Sequence, residues 1–544
     1  MDATTSGLLL LVAVIVGSTL TRASPLPVPL PLVQIALGVA ISLFTDVEIV
    51  LRPDVFFLLF VPPLLFLDGW RINKERLIRD RGTVLALALG LVFFTVLGAG
   101  LFIAWMIPAM PLSVAFALAA ILSPTDPVAV SAIAARTPIP GRVMHILEGE
   151  ALLNDASGLV CMRFAVAAAL TGAFSFIDAV EVFLWLAIGG VAIGVAMTWG
   201  VVKAKNWLTR RLGEETGSQI LISLLIPFGA YLVAEHFQCS GILAAVAAGM
   251  TMSHAEQTGL ALPTTRVRRM VVWDTVQFTA NGVIFVLLGE QLPRIAAGAA
   301  EAVRDTHHHE VVWLLIYIVG INVALSLLRF LWVWASLRLT LLRAAWKRES
   351  MRKPSWRVIA ATSLGGVRGA VTLAGVLTLP VALADGAPFP ARDLAILLAA
   401  GVIICSLLAA SIGLPLVLRG FELPSEASDQ QEEDWARVAA AEAAIQAIEH
   451  AMRDGSRSHD TAYGDVAQHV IEHYRHRINT HARTGEEAEL LRNLDRIERE
   501  LRITGIRAER DTFYQFGRAR RVSDVIVRKL VSELDQAEDQ LKPA

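Results

Sequence analysis

Long apolar runs, separated by short clusters of charged, proline or glycine residues, follow one another from Leu8 to about Leu418 and then stop. About 17 to 25 consecutive apolar residues let a helix cross a hydrocarbon core roughly 30 Å thick. Thirteen runs are read as spans on that guide, the shorter ones sheltered by their neighbours, near 7–22, 27–45, 54–70, 83–107, 112–135, 143–172, 179–203, 218–236, 239–253, 271–291, 311–341, 356–384 and 390–420. From about 431 the pattern changes to apolar residues at helical spacing among charges. Trp435, Val438, Ala439 and Ile445 form one stripe, and Val470, Ile471 and Tyr474 a second. Thr484-Gly485-Glu486-Glu487 offers a capping box ahead of Leu490, Leu491, Leu494 and Ile497, and Val522, Val525, Ile526, Leu530, Val531 and Leu534 make a fourth stripe. The predicted fold is therefore all-α: a polytopic membrane domain over 1–420 and a helical domain of roughly four helices over 421–544.

Composition agrees and adds an asymmetry. Of 544 residues 55% are hydrophobic and 18% charged, which excludes a string of soluble domains. The 123 residues from Glu422 onward carry 18 basic and 25 acidic side chains, a net −7, against +5 for the 421 residues before them. The tail is thus an acidic, soluble domain and a candidate regulator; nothing in it resembles a nucleotide or calcium motif. Cys161, Cys239 and Cys405 lie in apolar runs and signal neither disulfides nor zinc. The first span has Asp2 and no basic residue before it, so it is not expected to be a cleaved signal peptide.

Basic residues orient the spans. Loops one, three, five, seven, nine and eleven hold 22 Lys and Arg, from Arg22 to Arg357, and the even loops hold 4. The positive-inside rule then places the odd loops and the tail in the cytoplasm and the N-terminus outside. His307-His308-His309 falls in an external loop and reads as an exposed polar cluster.

Charges within spans are costly, about 2.5 to 3.5 kcal/mol each on insertion scales, and so are functional candidates. Asp126, Glu150, Asp155, Arg163, Arg329 and Arg368 sit well inside spans, whereas Asp68, Glu148, Glu235, Asp274 and Glu290 lie near ends, where they are expected to reach toward water. In span five, Ser123-Pro124-Thr125-Asp126-Pro127 removes two backbone donors and must break the helix. Unwound chain at membrane depth lines cavities, and a carboxylate within it can face a cation. In span six, Glu150 and Asn154 share one face, suited to locking the helix to a neighbour, while Asp155 is turned about 100° away, toward a cavity. Arg163, eight residues on, is too far along one straight helix to pair with Asp155 and is expected to satisfy another carboxylate or reach the interface. Seven spans after the first break, Gly365-Gly366-Val367-Arg368-Gly369 suggests a second discontinuous helix. Two such interruptions in opposite orientation point to inverted repeats crossing at a midplane site, with Arg368 available to pair Glu150 or Asp126.

These three strings, with Val61-Pro62-Pro63-Leu64-Leu65-Phe66-Leu67-Asp68-Gly69-Trp70 in span three, resemble the monovalent cation/proton antiporters. The branch is that of bacterial Na⁺/H⁺ antiporters with an Asn-Asp pair and of animal sodium/proton exchangers, and the resemblance covers about residues 1–420. It implies thirteen helices in a core and a dimerisation unit, a homodimer, elevator-like alternating access and exchange of a cation for a proton, with no cofactor. It points to Asp155 as the carboxylate that binds cation or proton, to Thr125 and Asp126 as ligands, and to Glu150 and Asn154 as orienting partners with Arg368 balancing Glu150. Asp68 and Ser123 are accessory candidates. Relatives often carry serine where this chain has Ala151, and the carboxylate after the double proline is displaced by about one residue.

Oxygen ligands suit Na⁺ or Li⁺ and say little against K⁺. A buried carboxylate disfavours its bare form, so proton and cation compete for Asp155. With Asn154 where electrogenic relatives have a second Asp, the resemblance implies electroneutral one-for-one exchange. A K⁺-preferring antiporter and a cation channel are the alternatives, although no repeated filter sequence is present. Neither enzymatic chemistry nor nucleic-acid binding is indicated.

Overall fold

The computed structural model describes residues 3–24, 28–45, 53–72, 82, 85–126, 130, 141–171, 176–213, 215–256, 263–297, 312–346, 355–383, 387–419, 427–454, 461–482, 486–519 and 521–541. They form two compact units, Met1–Leu423 and Pro424–Ala544. The described residues are almost wholly helical, with one isolated bridge, Ala382 to Pro388.

In the first unit the helices are α1 (Ala3–Ala23), α2 (Leu30–Phe44), α3 (Pro53–Arg71), α4 (Ala86–Met106), α5 (Leu112–Leu122), α6 (Gly141–Thr171) and α7 (Phe176–Leu212). They continue with α8 (Thr216–His236), α9 (Gly241–Glu256), α10 (Pro263–Ala297), α11 (Val312–Trp346), α12 (Trp356–Leu364), α13 (Ala370–Leu377) and α14 (Arg392–Leu418). Seven helices among the described residues are long and apolar enough to cross a membrane. α2 and α5 are shorter apolar helices. Several helices overrun their predicted spans, α7 to Leu212 and α10 from Pro263, because a helix need not end where the hydrocarbon does. The histidine triplet at 307–309 and Arg136 lie outside the described residues.

α5 stops at Leu122, where Pro124 denies the ladder a donor, and residues 123–126 are not helical. The second predicted break is also present: α12 and α13 are separated by Gly365 to Gly369. α12 opens on Ser355, whose hydroxyl accepts from the Arg357 N–H at 3.3 Å. Both breaks lie at the largest apolar cluster, built from α5, α14 and their neighbours, including Leu118, Ile121, Val367, Leu398 and Ile403.

α3 packs along α9 and α10 and is pinned at its C-terminal end. Trp70 donates its indole N–H to Glu256 Oε2 at 2.8 Å, Glu256 also pairs with buried Arg269, and Arg71 binds Asp274 and Gln277. Asp68 sits one turn inside these anchors. Two of the span-end carboxylates differ from expectation. Asp68 faces a cavity, and Glu290 is fully buried against Arg294, 3.6 Å away, because α2 and α10 close over it through Gly38 and Gly289.

The second unit holds α15 (Ala427–Asp454), α16 (Thr461–Ala482), α17 (Glu486–Arg518) and α18 (Asp524–Leu541). α15 packs on α16 over Ala441, Ala467 and Ile471, and α17 on α18, where Arg510 pairs with Asp535 at 2.9 Å and with Glu538. α17 starts at Glu486; Thr484 and Gly485 of the expected capping box lie outside the described residues.

Candidate ion-binding site

Helix ends leave carbonyls without partners, and a break inside a membrane leaves them where water is scarce. Here arginines meet them. Arg368, itself in the second break, donates from Nε to the Leu122 carbonyl at the end of α5 at 2.9 Å, and from Nη1 to the Gly366 carbonyl. Its backbone N–H donates to Ser406 Oγ of α14 at 3.1 Å. Arg329, from α11, donates from Nε to the Thr362 carbonyl in the last turn of α12 at 3.0 Å. Each guanidinium therefore opposes the negative end of a half-helix dipole. The two breaks are also joined directly: the Asp126 N–H donates to the Val367 carbonyl at 2.7 Å.

Glu150 has a different partner from the one expected. Both its carboxylate oxygens accept from Arg329, the Oε2 contact at 2.7 Å, with the two side chains 1% and 2% exposed. Arg368 is held by the carbonyls of Leu122 and Gly366 instead, so Arg329 balances Glu150. The physical reason is position: α11 runs beside α12 and offers a two-pronged donor to the Glu150 face of α6, whereas Arg368 points back into the break.

One turn on, Asn154 donates from Nδ2 to Thr125 Oγ1 at 2.9 Å, and both residues are buried. α6 can come this close because it carries Gly158, where a Cβ would fall 2.5 Å from the Pro124 ring. Gly369 is required for a similar reason, since a Cβ there would strike the Asp126 carboxylate.

The groups left over converge. A cavity of about 50 Å³ is lined by Asp155 of α6, Thr125 and Asp126 of the first break, Gly369 and Thr372 beside the second, Asp68 of α3 and Asn281 of α10. Thus Asp155, Asp126, Thr125 and Asp68 are brought together, while Glu150, Asn154 and Arg368 stand behind them and do not line the space. Ser123 is buried outside it, its hydroxyl without a hydrogen-bond partner among the described residues. Asn281 and Thr372 were not singled out from sequence. Neutral side chains in an apolar span carry no charge penalty to draw attention, although Thr372 closes the glycine-arginine string. This set of carboxylates, hydroxyl and amide presents oxygen atoms that can take a small cation or a proton.

Residues 9–420 match the family described as sodium/hydrogen exchanger, transmembrane. The chain belongs to that family. Among similar proteins, the uncharacterized Na(+)/H(+) exchanger YjcE of Escherichia coli (strain K12) is 39% identical over 540 residues, spanning 98% of this chain and 97% of that one. A sodium, potassium, lithium and rubidium/H(+) antiporter of Bacillus pumilus is 38% identical over 511 residues, 92% of this chain and 72% of that one. The fold of this exchanger is also that of the sodium proton antiporter MjNhaP1 from Methanocaldococcus jannaschii. That match has a TM-score of 0.58 at 18% identity, covering 77% of this chain and 99% of MjNhaP1.

Proposed function

We propose that this exchanger moves Na⁺, or Li⁺, one for one against H⁺ across the cytoplasmic membrane by alternating access. Cation and proton compete for Asp155, Asp126 and Thr125 supply further ligands, and Asp68 is accessory. The observation that carries the reading is the cavity in which Asp68, Asp126, Asp155 and Thr125 meet beside two interrupted helices. Glu150, Asn154, Arg329 and Arg368 orient that set. Membership in the Asn-Asp branch, thirteen crossings with the N-terminus outside, a homodimer, and a membrane domain over 1–420 with a cytosolic domain over 421–544 belong to the same reading. The test uses proteoliposomes with an internal pH dye and a Na⁺, Li⁺ and K⁺ panel over about pH 6 to 9. Asp155→Asn and Asp126→Asn should abolish cation-dependent proton movement while the purified proteins remain folded. Wild-type exchange in either variant overturns the assignment.

A wider cation range, K⁺ included, is the second reading. It is favoured by the name of the Bacillus pumilus relative and by hard oxygen ligands that discriminate weakly among alkali ions. The same panel decides it.

A further inference from the structure

A second cavity, about 610 Å³, adjoins the same helices. α3, α6 and α13 each line both spaces and do so in order. α3 gives Val61 through Asp68 to the small cavity and Phe57 and Leu58 to the large one. α6 gives Asp155 and then Leu159 and Arg163, and α13 gives Thr372 and then, just past its end, Thr378. On all three the step from small to large leads toward the ends that the basic-loop pattern places outside the cell. The far wall comes from α7, α8 and α9. Among its described lining residues only Arg163 and Glu235 are charged. Arg163 Nη2 lies 3.8 Å from Glu235 Oε1, and that oxygen also accepts from the Gly241 N–H at 3.3 Å, at the start of α9. The carboxylate is therefore fixed to α8 and α9, and the arginine to the helix that carries Asp155.

We propose that the large cavity is the outer vestibule of the ion site, and that Glu235 and Arg163 set by their paired charge how readily a cation enters it. This rests on the antiport reading and on the proposed orientation. Paired, the two leave the vestibule neutral. With Arg163 removed, bare Glu235 attracts cations; with Glu235 removed, bare Arg163 repels them. Eight residues of helix put Arg163 about 12 Å beyond Asp155. Across that distance a unit charge, at an effective dielectric between about 20 and 80, changes cation occupancy roughly two- to tenfold.

The test measures Na⁺ dependence of exchange by the full chain in right-side-out and everted membrane vesicles from an exchanger-deficient bacterial host. Arg163→Gln should lower, and Glu235→Gln should raise, the apparent KM for Na⁺ at the outer face, each about two- to tenfold, with KM at the inner face unchanged. The swapped pair Arg163→Glu/Glu235→Arg should return the outer KM toward wild type. Unchanged inner-face exchange serves as the folding control. Shifts of the same sign in both single variants, no shift at the outer face, or shifts confined to the inner face overturn the proposal. Absence of Na⁺-dependent proton movement in the wild-type protein instead overturns the antiport reading beneath it.

Discussion

Asn154 gives an amide proton to the Thr125 hydroxyl at 2.9 Å, and so ties the helix bearing Asp155 to the unwound chain bearing Asp126. Removing a buried donor costs about 1 to 2 kcal/mol, roughly a five- to thirtyfold change in an equilibrium. Asn154→Ala is expected to raise the apparent KM for Na⁺ by about that factor while the protein purifies normally. A wild-type Na⁺ titration would show that the bond does not serve the site.

Glu150 and Arg329 are each almost fully enclosed, and breaking such a pair from one side leaves a bare buried charge. Glu150→Gln alone, or Arg329→Gln alone, should destabilise the fold by about 3 to 5 kcal/mol, seen as a lowered Tm by tryptophan fluorescence in detergent. The double variant should recover part of the loss. Losses that simply add would mean that the two residues act separately.

Gly369 leaves no room for a methyl group beside the Asp126 carboxylate. Gly369→Ala should displace Asp126 and reduce exchange at least tenfold, an effect that a shift of about 1.4 kcal/mol in the barrier suffices to produce. Loss of transport should come without change in Na⁺-independent thermal stability beyond about 3 kcal/mol, the usual cost of overpacking. Full activity would mean that Asp126 has freedom which the close approach denies.

Competition at one carboxylate fixes the sign of the pH response. On the proposed competition, a fall in pH fills Asp155 with protons more often, and Na⁺ must displace them. In the range where the proton dominates, each unit of acidification should raise the apparent KM for Na⁺ about tenfold, while the rate at saturating Na⁺ holds. A KM independent of pH between about 6 and 9 contradicts shared occupancy.

One-for-one exchange of equal charges moves no net current. Clamping proteoliposomes with K⁺ and valinomycin at different potentials should leave the Na⁺/H⁺ rate unchanged; a potential-dependent rate would assign a second proton to the cycle.

Much of the site could be read from residue order. Pro124 and Pro127 around Asp126 announce a broken helix through chain chemistry alone, and Asp155 stands out because a carboxylate in an apolar span has few other uses. Asn154 and Glu150 sit one turn apart, so their common orienting face is also local. The partner of Glu150 is not local. Arg329 lies 179 residues away, and sequence presents two buried arginines of equal chemistry without saying which one packs beside α6. Arg368 stands within the glycine string, while the hydrogen-bonded pair with Glu150 is made by Arg329. The position of Asp68 was ambiguous for another reason. Its place near a span end is compatible with water, and only the anchoring of Trp70 and Arg71 to α9 and α10 turns it toward the cavity.

The hydrogen bond from Asp126 to the Val367 carbonyl makes the two interrupted segments mechanically one object. A force applied to either segment reaches the other through this peptide contact and through the Arg368 side chain on the Leu122 carbonyl, with no bound ion needed. Under the proposed alternating access the two segments would therefore travel together whether the site holds a sodium ion or a proton, and neither cargo would need to reshape them to be carried.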